Sequence, residues 1–285
     1  VEGKILPLEK ARVSPLDRGF LYGDGAFESI RSMNGRLLEW DGHMKRLYAS
    51  ARALGIRLEA SHPPHVLARG AAALLRRNRL ADAMLRLSFT RGESRRWGLS
   101  SGGVPGRPFV TMFAAPFKGY PTRLYERGVA MVTSPLRHVP PESLPSGVKS
   151  LNYLGGVLAA DGARRRRAAE ALLLDMHGRV AEGTRSSVFW VRRAEVFTPA
   201  LNLGILPGIT RARALDLLGR MGFIARETAA PRRALDSADE IFYTNTSSWA
   251  MPVTRLDGKR VGNGRPGKVS RLLLSAFRVY YAELH

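Results

Sequence analysis

The stretch LPSGVKSLNYLGGVLAADGA (residues 144–163) runs from a Pro/Gly turn into an apolar helix, and Lys149 stands at the entry. The chain has 45 basic residues, yet only seven are lysine, at positions 4, 10, 45, 118, 149, 259 and 268. A chain that writes arginine nearly everywhere has kept an amine here. An amine can lose its proton and condense with an aldehyde. A guanidinium stays protonated and cannot. Taken alone, a lysine opening a helix is more often plain surface, so the residues elsewhere in the chain must decide.

Working outward, 285 residues can bury a large core and predict two domains. Hydrophobic residues make up 45% and charged residues 24%, ordinary for a globular protein. There is no cysteine, which excludes disulfides, zinc–thiolate sites and thiol catalysis. The six histidines form no familiar metal spacing. No apolar run reaches the length of a membrane span. The N-terminal residues lack the pattern of a secretory signal. A cytoplasmic, metal-free protein is the expectation. The net charge of +21 raises nucleic-acid binding. However, the arginines are scattered at helical spacing among alanines, and even the Arg164–Arg167 run reads as a solvated face.

Hydrophobic periodicity predicts a mixed α+β chain. Strand-like AFESIRSMNG ends in an Asn-Gly turn and is answered by RLLEW. Helices are predicted over 42–54, with Asp41 as N-cap, and over 63–79. Two more strands follow in AMLRLSFTRG and RPFVTMFAAP. The segment PFKGYPT (116–122) reads as a linker. This gives a small N-terminal α/β domain over 1–115 and a larger C-terminal domain over 123–285 that carries Lys149. In the larger part, GVAMVTSPLRHV, 170–178 and 186–200 read as strands. Helices follow Lys149 and Pro207-Gly208, EIFYTNTSSWAMPVTRLDG reads as strand, polar loop and strand, and a helix over 267–283 ends the chain.

Several residues fit one chemistry together. Glu182 ends an apolar strand and can hold a ring nitrogen protonated. In GILPGITR, Gly208 turns the chain so that the N–H groups of Ile209 and Thr210 open a helix, a natural anion site. The polar loop 244–248 adds hydroxyls, with Thr246 central. Arg46 lies on an otherwise apolar helix face and can point inward to a phosphate. An amine, an acid for a pyridine nitrogen and a phosphate cup are what pyridoxal phosphate requires of a protein.

These blocks, in order, are DRGFLYGDGAFESIR, HMKRLYASARALGI, VKSLNYLGGVLA, VAEGTRSSVFWV, GILPGITR and the long segment from Ala238 to Gly267. Together they resemble the class IV pyridoxal-phosphate family, which includes branched-chain and D-amino-acid aminotransferases, (R)-selective amine transaminases and aminodeoxychorismate lyases. The resemblance implies a two-domain fold of type IV, with a small α/β domain and a larger pseudo-barrel domain. It implies pyridoxal 5′-phosphate as cofactor, a homodimer, and no nucleic-acid or membrane partner. Lys149 resembles the Schiff-base lysine that also moves the substrate proton. Glu182 resembles the acid on the ring nitrogen, and Arg46, Ile209, Thr210 and Thr246 resemble the phosphate binders. Tyr153 resembles a tyrosine near the phenolic oxygen, and Leu206 the residue beneath the ring.

The chain departs from the family in several places, and its TNTSSWAMPV loop leans toward the lyase pattern. Ser186-Ser187 stands where Ser-Asn is frequent. Gly98 replaces the histidine of an Arg-x-His carboxylate pair, leaving Arg96 at its arginine. Phe27 stands where relatives acting on amino acids often have tyrosine. Phe27, Arg91, Arg96 and Ser247 are the candidate substrate residues. The expected activity is transamination between an amino acid or amine and a 2-keto acid. The alternative is release of pyruvate from aminodeoxychorismate to give 4-aminobenzoate.

Overall fold

A computed structural model of the chain describes residues 1–94, 98–100 and 107–283. The described residues divide into two compact units. The first comprises Val1–Lys118 together with Val148–Asn152, and the second comprises Gly119–Gly147 together with Tyr153–His285. The short segment that carries Lys149 therefore groups with the first unit, not with the C-terminal part where the linear sequence placed it. Among the described residues, no helix is long and apolar enough to cross a membrane.

The first unit contains α1 (Arg18–Tyr22), α2 (Trp40–Ala53), α3 (Leu58–Ser61) and α4 (Pro64–Arg77). Its strands are β1 (Gly25–Met33), β2 (Arg36–Leu37), β3 (Ala83–Thr90) and β4 (Phe109–Pro116), in the antiparallel order β2-β1-β3-β4. Asn34 and Gly35 join β1 to β2 with φ of 51° and 79°, the left-handed pair that a two-residue hairpin needs. Alternation along β1 turns Ala26, Glu28 and Ile30 toward the helices. Ile30, Leu47, Leu67, Leu85, Leu87 and Phe89 form the centre of the apolar core. Helix α2 begins at Trp40 rather than after Asp41. Its N-cap is Glu39 in the left-handed region, without a side-chain cap, and Asp41 falls in the first turn.

One polar cluster interrupts this core. Glu28 is 0% exposed. Its Oε1 accepts from Arg46 Nε and its Oε2 from Arg46 Nη2, both at 2.7 Å, and His43 Nδ1 lies 2.8 Å from Oε2. His43 and Arg46 are three residues apart on α2, so one helical face delivers both. Burial pushes the Glu28 carboxyl up. The hydrogen bonds and charge of Arg46, then those of His43, outweigh it and bring the carboxyl down to about 2.

The segment 148–152 extends this sheet. Phe27 N–H donates to Lys149 O at 3.0 Å, Leu151 N–H donates to Gly25 O at 3.0 Å, and Ala26 pairs with Ser150 in an antiparallel bridge. It occupies the edge of β1 that the short β2 leaves open. Gly25 is required here, because a Cβ would lie 2.2 Å from Phe89 O and 2.9 Å from Thr90 Cα.

The second unit holds α5 (Thr122–Arg127), α6 (Leu154–Arg165), α7 (Ile209–Arg220) and α8 (Lys268–Ala282). Its strands are β5 (Val129–Arg137), β6 (Glu170–Leu174), β7 (Val180–Gly183), β8 (Ser187–Arg192), β9 (Glu195–Pro199), β10 (Ala225–Thr228), β11 (Glu240–Asn245), β12 (Trp249–Leu256) and β13 (Lys259–Arg260). They form one sheet in the order β10-β9-β8-β11-β12-β5-β6-β7, with β13 added to β12. The two ends of this order meet. Val180 N–H on β7 donates to Ala230 O at 2.8 Å, and Arg179 bridges Pro231, just after β10. The sheet thus curls into the pseudo-barrel that the resemblance implied.

The stretch 186–200 is two strands rather than one. Arg193 and Ala194, at φ of 51° and 65°, turn β8 into β9. Neither residue is a turn-former, so the sequence carries no signal for this hairpin. Glu240 clamps α8 to the sheet. Its two carboxylate oxygens accept from Val269 N at 2.9 Å and Ser270 N at 3.0 Å, capping a helix whose own N-cap, Gly267, has no side chain to do so.

Two outcomes follow from these carboxylates. Glu240→Ala removes two charge-assisted bonds worth about 1–3 kcal/mol. It lowers the thermal midpoint by about 5 °C, whereas Asp236→Ala, which removes only an exposed ion pair with Arg232, leaves it nearly unchanged; equal midpoints would contradict the clamp. Because the folded Glu28 pKa lies below its unfolded value, its contribution to stability is full above the ordinary 4.5 and is lost as pH falls toward about 2. Denaturant titrations across that window give a steeper loss for the wild type than for Glu28→Gln.

Candidate active site

In the first unit the sheet edge itself places Lys149. Its carbonyl is held by Phe27 and its N–H donates to Ser50 Oγ on α2 at 3.3 Å. With the backbone pinned on both sides, the side chain reaches Phe27, and Nζ lies 4.7 Å from the ring centroid. The Arg86 guanidinium lies 3.6 Å from the same centroid. Both cations meet the negative face of an aromatic ring. Strand alternation puts Phe27 on the face opposite Glu28, and Arg86 on the side of β3 away from the core. Arg86 was not among the residues singled out from the sequence. The signal was present in the period-two pattern of AMLRLSFT, which turns Arg86 away from Leu85 and Leu87.

Arg46 does point inward, but one edge of its guanidinium is held by Glu28, a partnership that neither motif announced. Arg91, expected on the substrate side, is taken up by the fold instead. Its Nε bonds Asp24 Oδ2 at 2.8 Å and its Nη2 bonds Asp24 Oδ1 at 3.2 Å and Leu54 O at 2.7 Å. Burial acts to raise the Asp24 carboxyl, and the hydrogen bonds and charges of Arg91 and Arg18 hold it below its usual value. A guanidinium committed to a carboxylate and a chain turn is a structural clamp. Arg96 lies outside the described residues.

In the second unit the candidates gather around the β7–β8 segment. Glu182 on β7 accepts from Leu206 N at 3.2 Å through Oε2, and its Oε1 lies 3.1 Å from His138 Nε2. Leu206 thus touches Glu182 through its backbone. The loop after Glu182 is fixed by Glu170, whose Oε1 accepts from Thr184 N at 3.0 Å and whose Oε2 accepts from Ser186 Oγ at 2.8 Å. Ser187 follows, in register with Thr244 of β11. A Cβ on Gly208 would lie 2.7 Å from Ser187 Oγ, so the start of α7 is seated directly against this strand. Helix geometry leaves the N–H groups of Ile209 and Thr210 without intrahelical acceptors, and Gly208 gives no side-chain cap. Thr210 is buried.

Thr246 sits in the turn between β11 and β12. That turn is drawn tight by Asn245 Oδ1, which accepts from Ser247 N, Ser247 Oγ, Ser248 N and Ser248 Oγ at 2.8–3.1 Å. Tyr153 occupies the N-cap position of α6. Gly156 lets its ring lie close, since a Cβ there would be 3.3 Å from both the Tyr153 ring and Thr184 O. His138 had no signal in the sequence, because 44 residues separate it from the glutamate it meets. Among the described residues, no three His, Cys, Asp or Glu side chains group as a metal site.

Comparison with known proteins bears on the family and the fold. The family model described as amino-transferase class IV matches residues 25–256. A Methanocaldococcus jannaschii protein assigned as a branched-chain-amino-acid aminotransferase is 36% identical over 98% of this chain and 94% of its own length. The D-alanine aminotransferase of Bacillus licheniformis is 33% identical over 97% of this chain and 94% of its own. The structure of the branched-chain amino acid aminotransferase of Escherichia coli superposes with a TM-score of 0.90 at 28% identity, covering 98% of this chain and 92% of that one. A second solved branched-chain amino acid aminotransferase, from T.th. and holding pyridoxamine 5′-phosphate, has the same TM-score of 0.90 and identity of 28%, covering 96% of this chain and 90% of that one. Fold, ordered motifs and relatives converge: the chain belongs to the class IV aminotransferases, and its activity is amino-group transfer.

Proposed function

We propose that the chain uses pyridoxal 5′-phosphate to move an amino group between an amino acid and a 2-keto acid, with Lys149 as its catalytic residue. The observation that carries this reading is the pinning of Lys149 on the edge of β1, which holds an amine in one place on the Phe27 ring. The side chains fit the group. The open first turn of α7, seated where a Cβ on Gly208 would not fit, suits a phosphate. Glu182, already holding two donors in place, suits a protonated ring nitrogen. The related structure with pyridoxamine 5′-phosphate supports the same assignment.

The cofactor, when bound, supplies an electron sink for charge that develops at the substrate Cα. Lys149 would be the residue that holds the cofactor through Nζ, and the same amine would take and return the proton at the substrate Cα. Glu182 would accept from the ring N–H and so favour the protonated ring nitrogen. Ile209 and Thr210 N–H groups, with the Thr210 and Thr246 hydroxyls, would hold the phosphate, and Arg46, oriented by Glu28, would add a permanent positive charge. Tyr153 and Leu206 would help hold the cofactor, as the resemblance implies. Phe27 of the first unit and Ser247 of the second would be the candidates for contact with the substrate.

Arg86 completes the substrate side. It is a permanent cation against Phe27, the ring that also receives Lys149, and it suits the carboxylate of an amino or keto acid. Relatives named for branched-chain amino acids and for D-alanine both favour amino-acid donors. Nothing in these relatives favours pyruvate release from aminodeoxychorismate. The exposed apolar residues Leu154, Val157 and Leu158, on one face of α6, support a homodimer through a second copy. A cytoplasmic setting belongs to the same reading.

Lys149→Arg keeps the charge but removes the nucleophile. It lowers turnover by about a thousandfold or more while the circular dichroism spectrum and thermal midpoint stay close to wild type; retained turnover would contradict the assignment. A donor panel of L- and D-amino acids and (R)-amines, each with a 2-keto acid acceptor, gives turnover with amino acids. Arg86→Ala raises KM for them by about tenfold or more, consistent with loss of one charge-assisted contact, and affects amines lacking a carboxylate far less. Turnover confined to aminodeoxychorismate, with release of pyruvate, would overturn the transaminase reading.

A further inference from the structure

Glu182 is gripped by a histidine for which the chemistry above has no role. His138 follows β5, and its N–H donates to Leu174 O on β6 at 2.8 Å. Glu182 lies opposite Leu173, on the other side of the same strand. The ladder β5-β6-β7 therefore fixes both backbones and brings the side chains together across β6. His138 Nε2 is 3.1 Å from Glu182 Oε1, and the two side chains are only 12% and 19% exposed. A carboxylate only accepts, so the short contact requires the imidazole proton on Nε2. His138 Nδ1 is buried and has no hydrogen-bond partner among the described residues. The ring thus has one polar engagement among them, and it is with Glu182.

We propose that His138 is a positioning residue for Glu182: its Nε2–H and the Leu206 N–H take one carboxylate oxygen each and lock the side chain in the orientation in which it serves the ring nitrogen of bound pyridoxal phosphate. The proposal rests on the reading of Glu182 given above. With only the Leu206 bond, Glu182 regains rotational freedom about its terminal torsions. The carboxylate then has to be ordered each time the cofactor binds, a cost that preorganisation removes. His138 does not touch the reacting atoms in this scheme and acts through Glu182 alone.

The test titrates full-length apoprotein with pyridoxal 5′-phosphate, following tryptophan fluorescence for affinity and the visible band of the bound cofactor for its electronic state. Wild type is compared with Glu182→Gln, His138→Leu, which keeps bulk without a donor, and His138→Gln, whose amide N–H reaches the place of Nε2. His138→Leu weakens cofactor binding by about tenfold, the scale of one hydrogen bond to a charged group, and shifts the visible band in the same direction as Glu182→Gln. His138→Gln restores affinity to within about twofold, on the same scale, and restores the band. In the Glu182→Gln background, His138→Leu causes no further loss. The proposal is overturned if His138→Leu behaves as wild type while Glu182→Gln does not, or if His138→Gln is as impaired as His138→Leu, which would mark a packing role. If Glu182→Gln itself matches wild type, the reading of Glu182 fails instead.

Discussion

The pairing of residues 149–151 with the first residues of β1 is the constraint on which the account depends. Two main-chain hydrogen bonds, which make the Ala26–Ser150 bridge, take a segment flanked by stretches of the second unit and fasten it to the sheet of the first. A lysine side chain has four rotatable bonds, and ordering it is costly. Anchoring the backbone from β1 and from Ser50 on α2 fixes where the side chain starts, and the contact of Nζ with the Phe27 ring restricts its torsions before any ligand arrives. The same strand sorts its neighbours by alternation. Glu28 goes to the core face to organise Arg46, and Phe27 goes to the other face to receive Lys149 and Arg86.

Buried carboxylates are the second organising device. In a chain with a net charge of +21, cations are abundant and the few buried acids decide where order is imposed. Glu28 orients Arg46, Glu170 shapes the 183–187 loop, Glu240 caps α8, and the half-buried Asp24 collects Arg18 and Arg91. Each accepts several donors at once, which offsets the cost of burying charge. Glu182 differs from these four. Its two partners hold it, yet it stands beside the open end of α7 at the segment where the other candidates of its unit converge.

Much of this was legible in the sequence, and the failures have physical causes. The hairpin at Asn34-Gly35, the helix opened by Gly208, and Lys149 itself are written in local chemistry: φ above zero, an uncapped N-terminus, an amine among arginines. The turn at Arg193-Ala194 has the same backbone geometry without the residues that favour it, so it passed as one long strand. Arg91 carried the right charge in the right motif, but only the structure shows that Asp24 and the Leu54 carbonyl already hold it. The Glu28–Arg46 and His138–Glu182 pairs are non-local. Their partners meet because strands and helices bring them together, and no spacing rule reports that. The place of segment 148–152 follows the same logic, since sheet-edge pairing is a long-range choice.

The most direct test of the central claim is chemical. Reduction of the purified protein with borohydride in the presence of pyridoxal 5′-phosphate makes any lysine–cofactor link permanent, and mass spectrometry of the digest locates it. The account predicts a single phosphopyridoxyl group, on Lys149. Stable labelling of a different lysine, or a digest in which Lys149 is unmodified while the cofactor is bound, would contradict it.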